Sequence, residues 1–166
     1  MKKTEKKRQI LLKRYAPLLP IAVLIYTLLY VVCGIDGTYI GVGFWAACLY
    51  AFMMRFCDDI ADYEKDVANG KAPIKLLWLS CGATAMLLGV VAISVILKLW
   101  WLLMPCAIIV LPLAVGKNKI DWIKPLFTPA IMLAIALSVF EINIYVWILA
   151  VLIGVADGIL ILVKRK

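Results

Sequence analysis

The chain has 166 residues, 66% of them hydrophobic and 17% charged, with a formal net charge of +8. A mean hydropathy of +1.02 excludes an ordinary water-soluble domain and fits an all-α, polytopic transmembrane helical bundle. There is no histidine, and the five cysteines form no C-x-x-C pair, so His-based acid–base catalysis, Ser-His-Asp chemistry, zinc and haem are all excluded.

Residues 1–14 carry seven of the eighteen basic side chains: Lys2, Lys3, Lys6, Lys7, Arg8, Lys13 and Arg14. A basic arm for nucleic acid is one reading of such a run. A cytoplasmic flank that obeys the positive-inside rule and touches anionic lipid explains it better, and no nucleic-acid partner is expected. The apolar run that follows is long enough to span and is followed by no small-x-small cleavage site, so it reads as an uncleaved first helix.

Six apolar stretches then follow, each near the length needed to cross about 30 Å of hydrocarbon. They are Tyr15–Val32, Thr38–Phe56, Ile74–Leu97, Leu99–Val115, Leu126–Phe140 and Ile144–Val163, and together they make one transmembrane domain over residues 15–163. The third and fourth nearly abut at Lys98, which predicts a tight hairpin. Residues 164–166 form a basic tail. Assigning Arg55 and Lys75 to the side of the N-terminus leaves Lys98 as the one basic residue on the other side, with Asp36 and Glu141. That asymmetry predicts both termini on the cytoplasmic face. Trp100, Trp101 and Trp122 sit near expected helix ends, as interfacial aromatics do. Gly82 and the pair Gly154-x-x-x-Gly158 offer small-residue faces for close helix contact. The cysteines read as small apolar fillers.

One polar segment stands apart. Of ten acidic residues, five lie between positions 58 and 66: Asp58, Asp59, Asp62, Glu64 and Asp66. On a helix turning about 100° per residue, the four aspartates share roughly 100° of arc. Two carboxylates ~6 Å apart repel by roughly 3 kcal/mol at an effective dielectric near 20, so the cluster calls for a cation. Aspartate oxygens on one face suit Mg²⁺, which takes a few carboxylates and completes its shell with water and phosphate oxygens. The competing reading is a solvated acidic loop.

The string Asp58-Asp59-Ile60-Ala61-Asp62-Tyr63-Glu64-Lys65-Asp66 resembles the first aspartate-rich motif of the UbiA superfamily of intramembrane prenyltransferases, N/D-D-x-x-D-x-x-x-D. Arg55, three residues before the first Asp, and Tyr63 strengthen the likeness. So does the position after the second apolar stretch. Gly70-Lys71-Ala72-Pro73 stands where the family commonly has a stretch ending in Arg-Pro, and Lys117-Asn118-Lys119 resembles its basic loop. The resemblance implies an isoprenyl diphosphate bound through Mg²⁺, with Asp58, Asp59, Asp62 and Asp66 on the metal, and Asp59 and Asp62 essential to catalysis. Arg55, Lys71, Lys117 and Lys119 would contact the diphosphate. The prenyl group would pass to a lipophilic acceptor, with the tail among apolar helices.

The family usually has nine helices and a second motif, D-x-x-x-D, after the sixth. Here Asp157, inside the sixth apolar stretch, is the one candidate remnant; an ionisable residue at that depth invites a ligand role, while a nearby Lys or a helix break with Gly158 explains it equally. A homodimer or partner subunit supplying the second cluster, a non-catalytic lipid-diphosphate binder, and a one-metal enzyme all remain open. Asp62-x-x-x-Asp66 also resembles the end of the CDP-alcohol phosphotransferase motif, without its Gly and Ala-Arg positions. A small ion transporter would want ionisable residues spread over several spans.

Overall fold

Apolar periodicity without β-branched alternation favours helices throughout, and every regular element described is a helix. The structure, a computed structural model, describes residues 2–33, 39–72, 74–115, 124–140 and 143–164. In chain order the α-helices are α1 (Lys2–Tyr15), α2 (Leu18–Cys33), α3 (Ile40–Ala61), α4 (Tyr63–Ala68), α5 (Leu76–Leu97), α6 (Met104–Val115), α7 (Phe127–Val139) and α8 (Ile144–Lys164). Short 3₁₀ turns, Trp100–Leu103 and Lys124–Leu126, lead into α6 and α7. The basic N-terminal segment is therefore itself helical. The fourth apolar stretch opens as a 3₁₀ turn, which shortens the α-helix it was expected to form.

Proline and glycine mark the element boundaries for identifiable reasons. Pro20, Pro105 and Pro129 fall in the first turns of α2, α6 and α7, where the missing N–H costs no helical hydrogen bond. Lys98 closes α5 in the left-handed conformation, φ 57°, and the Leu99 N–H bonds back to the Ser94 carbonyl at 2.9 Å. At the start of α8, Asn143 Oδ1 accepts the N–H groups of Tyr145 and Val146, at 3.0 and 3.2 Å, as an N-cap does. Its Nδ2 donates to the Val32 carbonyl at 2.8 Å, so α8 begins beside the C-terminal end of α2.

The core is built around α3, which packs on α2, α5, α6 and α7. Leu29, Tyr50, Met53, Leu102, Ile109 and Met132 are wholly buried there. The buried Tyr50 hydroxyl donates to the Leu102 carbonyl and ties α3 to the 3₁₀ turn. Close approach uses glycine: a Cβ on Gly82 would stand 2.9 Å from the Phe56 ring, and one on Gly89 3.3 Å from Leu49. On the far side a Cβ on Gly154 would meet Pro129 at 3.2 Å.

The outer surface is apolar along several helices. Val31, Ile96, Val151, Ile159 and Leu162 are all exposed, which is unusual for a face in water. Among the described residues, two stretches, Gln9–Cys33 and Leu76–Leu97, are long and apolar enough to cross a membrane, against the six crossings expected. Trp100–Val110, Phe127–Val139 and Ile144–Leu160 are shorter apolar helices.

Candidate functional site

At one end of the bundle, the last turn of α1 meets the α3–α4 junction. Asp58 and Asp59 belong to the last turn of α3, Asp62 joins α3 to α4, and Asp66 lies in α4. The continuous helix expected across the motif is broken at Asp62, φ −97° and ψ 4°. Two hydrogen bonds carry the helical phase through the break: Asp62 N–H to the Asp58 carbonyl at 3.1 Å, and Asp66 N–H to the Asp62 carbonyl at 2.9 Å. The aspartates therefore stay near one side despite the interruption.

The cation that the cluster calls for comes from the chain itself. Arg14 Nη1 donates to Asp59 Oδ1 at 3.1 Å, and its Nη2 donates to Asp66 Oδ2 at 2.5 Å. Arg55 Nη2 donates to the same Asp59 Oδ1, and its Nη1 stands 3.5 Å from Asp58 Oδ2. The Tyr15 hydroxyl donates to Asp59 Oδ2 at 2.6 Å. Asp59 is only 3% exposed, so it is the hub of the network, and both its oxygens are engaged. A buried carboxylate held this way is a matched charge, not a bare one.

A turn after α4 completes the site. Gly70 adopts φ +64°, Gly70 N–H bonds the Val67 carbonyl at 3.0 Å, and Lys71 N–H bonds the Asp66 carbonyl at 2.7 Å. These are the two hydrogen bonds of a Schellman motif, which places Lys71, exposed, just beyond Asp66. Lys117 and Lys119 lie outside the described residues, as do Asp36, Trp122 and Glu141. Asp157 lies about 20 Å along α8 from its start and makes no ion pair with a described residue of the cluster.

Beside the ion pairs runs an apolar groove of about 500 Å³, lined by Leu11, Leu12, Tyr15, Ala16, Phe52, Phe56 and Ile74. Tyr15 belongs to both regions. Its ring lies 5.6 Å from that of Phe56, and its hydroxyl reaches Asp59. Next to the groove, burial and then the Asp58 charge push the Cys57 thiol up to about 11, which disqualifies it as a thiolate nucleophile at neutral pH.

Mg²⁺ requires several free oxygens in octahedral array, with room for water. Among the described residues, no group of three acidic or thiol side chains comes together to hold a metal ion. The space between Arg14, Asp59, Tyr63 and Asp66 is about 10 Å³, roughly one water's worth. As folded here, the cluster does not fit a resident Mg²⁺, because arginine nitrogens stand against the oxygens the ion would use.

Sequence reasoning missed Arg14, Tyr15 and Asn143. In the sequence Arg14 is one charge of a basic flank, and Tyr15 is the first residue of an apolar stretch. Asn143 did carry a signal: an Asn immediately before an apolar helical run is an N-cap signature.

No family model, curated protein or solved structure matches the chain.

Proposed function

We propose that the chain is a multi-pass membrane protein that binds an isoprenyl diphosphate and transfers its prenyl group to a lipophilic acceptor, in the manner of the UbiA-type enzymes its aspartate motif resembles. The observation that carries this reading is the junction of an apolar groove with a charged, hydrogen-bonding cluster through one residue, Tyr15. An amphiphile with a compact anionic head and a long hydrocarbon tail matches that junction.

In this proposal the diphosphate approaches the exposed side of the cluster, near Lys71; Lys117 and Lys119, the other basic residues the resemblance names, lie outside the described residues. Mg²⁺ belongs to the reading as the ion that accompanies the diphosphate, not as a resident of the carboxylates. As the allylic C–O bond breaks, a new bond forms from the acceptor to the prenyl carbon, the acceptor loses a proton to solvent, and the negative charge growing on the departing diphosphate would be stabilised by the guanidinium groups of Arg14 and Arg55. The aspartates hold those guanidiniums in place. The proposal also includes about six crossings, with both termini and the cluster on the positive-inside face. The apolar outer surfaces of α2, α5 and α8 support it.

A second reading, a binder without turnover, is favoured by one observation: Asp59 has both oxygens occupied by the protein's own donors. One experiment separates the two. Purified protein in nanodiscs is titrated with geranylgeranyl diphosphate with and without Mg²⁺, and pyrophosphate release is followed after a quinone or phenolic acceptor is added. Saturable binding with release supports transfer, and binding without release supports the binder. Absence of saturable binding refutes both.

A further inference from the structure

α1 is joined in sequence to α2 and packs on it. Yet α1 supplies Leu11, Leu12 and Tyr15 to one wall of the groove, while Phe52 and Phe56 of α3 supply the opposite wall. Something must hold the α1 wall against α3 and α4. The polar connections from the end of α1 are Arg14 to Asp59 and Asp66, and Tyr15 to Asp59.

We infer that α1 is a strap and Arg14 its clasp: by bridging Asp59 and Asp66 in the place the sequence gives to a divalent cation, Arg14 closes the cluster to metal and fixes one wall of the groove. The planar guanidinium suits this role because its two terminal nitrogens address two carboxylates at once, on two different helices. A lysine, as a single point charge, satisfies one of them. The small space left beside the bridge leaves no room for a hydrated ion while the clasp is shut. Arg55 is differently placed. It bonds within its own helix, to Asp58 and Asp59, so it neutralises charge without tying helices together.

The consequence is a groove whose width depends on the Arg14 bridge, working with the Tyr15 hydrogen bond to Asp59 and the packing of its ring on Phe56. Release of Arg14 frees α1 to swing about the short break at Ala16–Pro17, and the groove then opens along its length toward lipid. The inference rests on the proposed function only for the groove's occupant; the clasp stands on its own geometry.

The test is hydrogen–deuterium exchange on the full chain in nanodiscs, comparing wild type, Arg14→Gln and Arg14→Lys. The clasp predicts exchange at least about tenfold faster at the end of α1 and in α4 for Arg14→Gln, an intermediate rise for Arg14→Lys, and no change in the middle of α5. Millimolar Mg²⁺ alone leaves the wild-type pattern as it was. Equal exchange at the end of α1 in all three proteins overturns the inference, as does an equal rise along α1, α4 and α5, which is general loosening. Protection of the wild-type cluster by Mg²⁺ alone also overturns it, because the ion would then enter past Arg14. If Arg14→Gln does not fold, Arg14→Lys decides: wild-type exchange at its α1 end refutes the clasp. Failure of diphosphate binding would leave these results unaffected, and failure of the clasp would leave diphosphate binding open.

Discussion

Arg14 Nη1 and Asp59 Oδ1 stand 3.1 Å apart although 45 positions separate them in the sequence. The bridge joins the end of the basic N-terminal helix to the most buried carboxylate of the cluster. It turns an acidic run that would repel itself into a neutralised hub.

Asp59 should therefore be the least replaceable of the aspartates. Asp59→Ala leaves Arg14, Arg55 and Tyr15 without their shared acceptor, and breaking such a buried pair costs about 3–5 kcal/mol. Asp66→Ala removes one of the two Arg14 contacts at a more open site and is expected to cost about 1–2 kcal/mol. Thermal unfolding of the two variants in the same detergent checks the order: Asp59→Ala melts first.

Tyr15→Phe separates the two parts of the site. The ring that packs on Phe56 remains, while the hydrogen bond to Asp59 is lost, at about 1 kcal/mol. Geranylgeranyl diphosphate should bind this variant more weakly, and geranylgeraniol, which lacks the charged head, should bind as it does to wild type. Competition binding measures both.

Glycine positions report on helix contact. Gly82→Ala places a methyl 2.9 Å from Phe56 and is expected to lose about 1–3 kcal/mol through overpacking, with Phe56 pushed toward the groove. Gly41→Ala meets nothing within 4 Å and should gain up to ~1 kcal/mol from helix propensity. Opposite shifts in melting temperature are the expected result.

The two left-handed turns give a further pair. Gly70→Ala strains a residue at φ +64° and should cost about 1 kcal/mol, loosening the turn that follows Asp66. Lys98→Gly relieves the same kind of strain at φ 57° and should gain about 0.5–1 kcal/mol. Chemical unfolding of each variant beside wild type reads both signs.

The helices were legible in the sequence because length and hydropathy decide them locally. Leu18–Cys33 and Leu76–Leu97 fall within three residues of the apolar runs that foretell them. The kink at Asp62 was not legible, since no proline or glycine marks it. The Arg14 bridge was invisible for another reason. Charge counting along a chain shows that cations are available, and only tertiary contact decides which one meets Asp59. Electrostatics asks for a cation at the cluster, and among the described residues Arg14 and Arg55 stand against Asp59. The groove was equally hidden, because its walls come from residues 11–16, 52–56 and 74.

In the proposed complex a prenyl tail lies in the groove with its head at the cluster. A diazirine-bearing geranylgeranyl diphosphate analogue, photolysed in nanodiscs and mapped by mass spectrometry, tests it most directly. Label is expected on Leu11, Leu12, Phe52 and Phe56, abolished by excess unlabelled diphosphate. Label spread over the exposed apolar residues of α5 and α8, and insensitive to competitor, would contradict it.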